Sequence, residues 1–280
     1  LVSENTIDVI VIGGGFSGLS TAYYLQKKGL NVKVFDASGR IGGRAKTDQI
    51  DGFLLDWGTH FYHHSTTELQ KIINLTKLGL ENIYPGYLLR HNDKFLLYSN
   101  PMLKTIDVFP AIFANNISIK DKLRLFGFSL KLKALSYSNI VKQTEMSTLQ
   151  YFKRAGFSKQ TIDTLFKPII SSAIFDRSLQ SSSKLSLLFL KSLFNDFVSL
   201  PKNGIGSIAE AMVKELAPAS VCLKSRVKSI SEEGVEFSDG RLIKSKAVVI
   251  ATNAIDAKKI CCKIDLNTES THVSTIYFET

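Results

Sequence analysis

The chain is poor in the residues that staple a fold or bind a metal. Of 280 residues three are cysteines, Cys222, Cys261 and Cys262, and five are histidines. No cysteine pair has zinc or C-x-x-C spacing and there is no H-E-x-x-H, so neither a disulfide framework, a dithiol redox pair nor a metal site is expected. Six prolines, 44% apolar and 21% charged residues exclude a proline-rich, collagen-like or disordered chain. Acidic residues are also short, 25 against 35 Lys and Arg, and the net charge of +10 admits an anionic partner without naming one. Nucleic acid is not expected, because there is no base-reading basic helix and no aromatic RNA-binding motif. A signal peptide is not indicated, which points to a cytoplasmic or peripheral membrane location. One uncharged stretch, the 18 residues Val9 to Gln26, matches a membrane span in length. Its four glycines and its change of periodicity suit a strand, a turn and a helix instead.

That stretch carries the strongest signal. The β-branched run from Ile7 to Ile12 predicts a strand buried on both faces. Gly13-Gly14-Gly15-Phe16-Ser17-Gly18 then fits G-x-G-x-x-G, and an amphipathic helix follows with Leu19, Ala22, Tyr23 and Gln26 on one side and Gly29 at its end. A second strand finishes at Asp36. In this setting Gly13 permits the tight turn, Gly15 lets a pyrophosphate approach the backbone and Gly18 lets the helix lie close to the strand. The helix N-terminus, with Phe16 and Ser17, offers free N–H groups to phosphate. Asp36, followed by Ala37, can accept from both hydroxyls of an adenosine ribose, and its charge argues against a 2′-phosphate.

Next comes Arg40-Ile41-Gly42-Gly43-Arg44. This R-x-G-G-R run resembles the second flavin motif of the flavin amine oxidase superfamily, which includes monoamine and polyamine oxidases, protoporphyrinogen oxidases and phytoene desaturases. The resemblance implies FAD as the cofactor and a loop that wraps its pyrophosphate. Gly42 and Gly43 would allow close approach, while Arg40 and Arg44 would offer charge-assisted bonds. The stretch from Asp51 to His64 resembles the family segment near the flavin ring, which makes Gly58, Thr59 and His60 candidate neighbours. In the segment from Ser225 to Ile230, the residue matching Val227 would pair its backbone with adenine.

The resemblance extends along nearly the whole chain in family order. It implies an α/β fold: a Rossmann-like domain, with a parallel sheet and a β-meander, interleaved with a mainly helical substrate domain. The FAD domain is expected over 1–83 and 199–270, and the substrate domain over 84–198 and 271–280. Family members usually continue further, so the chain is expected to be the front part of a longer enzyme. Leu165 to Ser183 resembles the desaturase-like branch. The expected activity is therefore oxidation of a small apolar, isoprenoid- or carotenoid-like substrate by hydride transfer to flavin, with oxygen or a quinone as acceptor. Amine oxidation is the alternative within enzymes. A prenyl-binding module of the same fold and an NAD-dependent dehydrogenase are alternatives of other kinds. No catalytic residue is assigned.

The predicted helix from Ser118 to Leu135 has two apolar sides. Ile119, Leu123, Phe126 and Leu130 form one; Leu125, Phe128, Leu132 and Leu135 lie nearly opposite. Nine Lys or Arg against three Asp or Glu fall between Pro85 and Lys142. Burial of both sides, with solvated lysines between them, is the favoured expectation. The alternative turns one side toward a membrane whose anionic head groups meet the lysines.

Overall fold

The computed structural model describes residues 6–58, 61–64, 67–83, 86–91, 94–99, 117–195, 198–261, 263–264 and 273–278. The chain opens with β1 (Val9–Ile12), α1 (Phe16–Lys27), β2 (Val32–Phe35) and the hairpin β3 (Thr47–Ile50) and β4 (Phe53–Asp56). It continues through β5 (Tyr62–His63), α2 (Thr67–Gln70) and β6 (Leu80–Ile83) to the hairpin β7 (Gly86–His91) and β8 (Lys94–Ser99). Helices follow: α3 (Ile119–Ala134), α4 (Tyr137–Val141), α5 (Thr148–Arg154), α6 (Lys159–Thr161), a π-helical turn (Ile162–Phe166), α7 (Lys167–Ile174) and α8 (Ser183–Asn195). After β9 (Val198–Pro201) and α9 (Gly206–Lys214) come β10 (Val221–Cys222), β11 (Val227–Ser231), β12 (Gly234–Phe237), β13 (Leu242–Ile243), β14 (Ala247–Ile250) and α10 (Ala254–Ile260).

The chain divides into two units, one of residues 1–62, 66–81 and 200–280 and the other of 63–65 and 82–199. Residues 273–278 fall in the first. There the Tyr277 hydroxyl donates to the Asp56 carbonyl oxygen at 2.7 Å. Residues 273–278 alternate in sequence like a strand but form no regular element. A strand needs a hydrogen-bonded neighbour, and they pair with none among the described residues.

The first unit is built on a parallel sheet in the order β10–β2–β1–β14. Both faces of this sheet are covered, which is why its strands are apolar without alternation. Val9, Val11, Val32 and Val34 pack with Leu19, Ala22 and Tyr23 of α1 and Ile208, Ala209 and Met212 of α9. On the other face Ile10, Ile12 and Phe35 pack with Val227, Val235 and Phe237. The last three come from the antiparallel meander β11–β12–β13.

In the second unit four serines, Ser118, Ser136, Ser147 and Ser158, start α3, α4, α5 and α6, each accepting from the N–H three residues on. The helices pack around Phe128, Phe152, Phe157 and Phe166, with Phe152 stacked on Phe166 at 3.9 Å. Losing one such ring costs about 3–5 kcal/mol. A fully buried carboxylate, Asp121, ties α3 to α6. It accepts from the hydroxyls of Ser158 and Thr161 and pairs with Arg124 at 3.1 Å. Burial raises its pKa, but these hydrogen bonds outweigh that and hold it below the ordinary carboxylate value. The buried Lys191 ammonium donates to the carbonyls of Leu132 and Lys133 at the end of α3, and desolvation lowers its pKa.

The helix α3 corrects the expectation of burial on both sides. Phe128 and Leu132 are buried, while Ile119, Leu123, Phe126 and Leu130 are 78%, 70%, 61% and 46% exposed. Periodicity assigns residues to faces, but a face is buried only where another element covers it.

Candidate functional site

The site forms where β1 gives way to α1. The Gly13 N–H donates to the Phe35 carbonyl at 2.8 Å, fixing the turn against the end of β2. Gly13 has φ of +111°, and a Cβ there would sit 2.9 Å from the Ala251 carbonyl oxygen. A Cβ on Gly18 would sit 1.8 Å from the Gly13 carbonyl oxygen, so only glycine lets the first turn of α1 close on the strand. Gly15 differs. Its φ of −81° and ψ of −179° suit any residue, and a Cβ would meet protein only at Gly43 Cα, 3.7 Å away.

Helix α1 has Gly15 at its N-cap, no side-chain cap and no acid in its first turn. The N–H groups of Gly15, Phe16, Ser17 and Gly18 have no acceptor among the described residues. Such a helix end is short of negative charge and favours an anion. Ser17 and Ala37 are exposed; Phe16 is partly buried against the core.

The loop from Asp36 to Arg44 closes over this turn. The Gly14 N–H donates to Asp36 Oδ2 at 2.7 Å, and the Ser38 N–H to Asp36 Oδ1 at 2.7 Å. Asp36 thus anchors both glycine turns while staying half-buried at the end of β2. The Gly42 N–H donates to the Gly14 carbonyl at 2.8 Å. Gly42 has φ of +101°, and a Cβ there would come within 2.6 Å of the Ala45 carbonyl oxygen. Gly43 has φ of +60°, and its Cβ would lie 3.2 Å from Gly15 Cα. The two glycine turns therefore face each other at their bare backbones.

The two arginines are not equivalent. Arg40 pairs with Asp48 at 2.6 Å, donates to the Thr47 carbonyl and lies 5.7 Å from the Trp57 ring centroid. Asp48 also accepts from Trp57 Nε1 at 2.6 Å, and this bond, then the Arg40 bond, lowers its pKa. Arg44 is exposed and has no ion-pair or hydrogen-bond partner among the described residues. Gly58 is exposed, with φ of +70° and a virtual Cβ 3.7 Å from the Arg44 carbonyl oxygen. Thr59 and His60 lie outside the described residues.

Val227 opens β11, opposite Phe237, at an irregularity in the register. The preceding Ser225 N–H donates to the Asp36 carbonyl at 2.8 Å and Lys224 N–H to the Ser38 carbonyl at 2.9 Å. The structure thus brings Gly13 to Gly18, Asp36 to Arg44 and the 224–227 strand entry together at one end of the sheet.

Two polar anchors here went unread in the sequence. Ser38 and Asp48 carry no motif of their own, and only the fold shows what they hold. Asp56, at the end of β4 and within the stretch that resembles the family's flavin-ring segment, accepts from Thr47 Oγ1 at 2.5 Å and from Ile205 N–H at 3.0 Å, which ties the hairpin to the start of α9. Among the described residues no group of His, Cys, Asp and Glu is arranged to hold a metal, and no helix is long and apolar enough to cross a membrane.

The sequence pattern of the flavin containing amine oxidoreductase family matches residues 16–274. Mitochondrial protoporphyrinogen oxidase of Nicotiana tabacum is 32% identical over 168 residues, 58% of this chain and 32% of that protein. Carotenoid 3,4-desaturase of Haloarcula japonica is 44% identical over 55 residues, 20% of this chain and 11% of that protein. Among solved structures, a cofactor-site triple mutant of putrescine oxidase superposes with a TM-score of 0.65 at 21% identity, covering 91% of this chain and 60% of that one. The chain thus spans about a third of the length of the tobacco protein. The fold is that of the flavin oxidases, and the family's cofactor, FAD, suits a glycine cradle whose N–H groups and nearby Arg44 have no partner among the described residues. The chain belongs to the flavin containing amine oxidoreductase family.

Proposed function

We propose that the protein oxidises the carbon skeleton of an apolar substrate, with FAD held by the first unit. The observation that carries the cofactor assignment is the open helix mouth at Gly15. Four N–H groups with no acceptor among the described residues lie where the bare backbones of Gly15 and Gly43 face each other. There the first-turn N–H groups of α1 take the pyrophosphate and Arg44 adds positive charge. Asp36 has lone pairs left for a ribose hydroxyl beside those accepting from Gly14 and Ser38. The Val227 backbone takes the adenine edge. When bound, FAD supplies a two-electron acceptor; the chain supplies position and exclusion of water.

The substrate class is supported by the extent of the match. A stretch covering 58% of this chain must cross residues 119–162 wherever it begins, so the likeness to the tobacco oxidase reaches into the helical unit. The likeness to putrescine oxidase is one of fold. An isoprenoid- or carotenoid-like skeleton, or a tetrapyrrole of comparable apolar character, is therefore favoured over an amine, with oxygen or a quinone taking the electrons.

The test is anaerobic reduction of the flavin in the purified full-length protein. Bleaching by a porphyrinogen or a polyene, and not by mono-, di- or polyamines, is the expected result. Bleaching by amines alone overturns the substrate class. A protein that binds prenylated ligand and takes up no flavin overturns the enzymatic reading.

A further inference from the structure

The exposed face of α3 is an apolar feature that the dinucleotide site does not use. At 3.6 residues per turn, Ile119, Leu123, Phe126 and Leu130 fall within about 60° of one another. They form one apolar row over three turns, exposed by 78%, 70%, 61% and 46%. An unbroken row of this kind on a water-facing helix opposes the burial that drives folding. The opposite face is already used, by Phe128, Leu132 and the Asp121 hub.

The charges on the helix are arranged around the row. Lys120 and Lys131 flank it on one side and Lys133 on the other. All three are exposed and have no ion-pair partner among the described residues. The only acid on α3, Asp121, is fully buried on the far side and is occupied by Arg124, Ser158 and Thr161. No negative charge therefore borders the apolar row on its own helix. A protein partner could match the apolar side chains, but a surface apolar at depth and anionic at its rim matches both features together.

We propose that this face of α3 docks in the plane of an anionic lipid surface. Ile119, Leu123, Phe126 and Leu130 enter the boundary of the acyl chains, and Lys120, Lys131 and Lys133 lie at the level of the head groups. Long lysine side chains reach the head groups while their stems stay on apolar surface. The helix has 16 residues with lysines on both flanks, which suits lying on a bilayer and not crossing it.

Co-sedimentation of the full-length, flavin-loaded protein with phosphatidylcholine vesicles containing about 30% phosphatidylserine tests this, with phosphatidylcholine alone as the reference. Binding to the anionic vesicles, weakened by added salt, is expected. The double variant Leu123→Glu, Phe126→Glu should lose binding by about 100-fold or more, with unchanged flavin content and melting temperature, because both side chains are already exposed. Replacing Lys120, Lys131 and Lys133 with Gln should weaken binding about 100-fold at low salt, roughly fivefold per lysine. Failure of the wild-type protein to bind anionic vesicles, or equal binding by the double glutamate variant, overturns the proposal. So does a dimer in solution that the glutamates dissociate, which would assign the face to a second copy of this chain.

Discussion

Gly15→Ala separates cofactor binding from folding. At Gly15 the backbone lies at φ −81°, ψ −179°, and the new methyl would meet only Gly43 Cα at 3.7 Å, an ordinary contact. Alanine lowers the entropy of the unfolded chain by about 0.4–1 kcal/mol, against a loss of similar size for a poorer N-cap residue. The stability of the apoprotein should stay within about 1 kcal/mol of the wild type, a melting shift of roughly 2–4 °C. On the proposed placement of the pyrophosphate the methyl takes up part of its space, beside N–H groups that have no acceptor among the described residues. Losing one charge-assisted hydrogen bond costs about 1.5–3 kcal/mol, which weakens FAD roughly 10- to 100-fold. Gly18→Ala is the counter-case: its Cβ would lie 1.8 Å from the Gly13 carbonyl oxygen, so the fold itself should fail before binding can be measured. The assay is FAD titration of apoprotein by fluorescence quenching, with a thermal melt of each variant. Unchanged FAD affinity in Gly15→Ala would refute the placement of the pyrophosphate, and an unfolded apoprotein would refute the reading of Gly15 as structurally free.

Three further outcomes follow from the same geometry. Asp36→Ala removes the acceptor of the buried Gly14 N–H and should cost about 1–3 kcal/mol in a urea melt as well as lowering FAD occupancy. Arg44→Gln should weaken FAD about tenfold and leave the melting temperature unchanged, since Arg44 has no partner among the described residues; an equal loss of stability would contradict this. Asp121→Ala should destabilise the helical unit by about 3 kcal/mol at neutral pH. The Asp121 carboxyl titrates lower in the folded than in the unfolded chain. Its contribution is therefore full above the unfolded value near 3.9 and is lost as pH falls through the lower folded value. The stability gap between wild type and variant should narrow in that acid range, and a gap that stays constant through it would contradict the account.

The turn between β1 and α1 was legible because Gly13, Gly18 and Asp36 each answer a local demand. Gly13 and Gly18 sit where a Cβ would strike backbone, and Asp36 sits where β2 ends. The hub at Asp121 was harder to read. Ser118 three residues before it marks a helix start, but its partners Ser158 and Thr161 lie 37 and 40 residues away. The pairing of Arg40 with Asp48 was likewise hidden, since R-x-G-G-R suggests two equal phosphate ligands and only the β3–β4 hairpin brings Asp48 and Trp57 to the first of them. On α3 the two apolar faces were plain, but which one the protein covers is a tertiary fact. The alternation in 273–278 failed for a related reason: alternation describes a strand's two faces and does not supply its neighbour.

The central claim is that the first unit holds FAD in a redox-competent site, and the visible absorption spectrum of the purified full-length protein tests it most directly. The account predicts an oxidised flavin spectrum that bleaches with dithionite, with bound flavin depleted in Gly15→Ala at matched protein concentration. A colourless protein that takes up no added FAD, or a flavin content indifferent to Gly15→Ala and Asp36→Ala together, would contradict it.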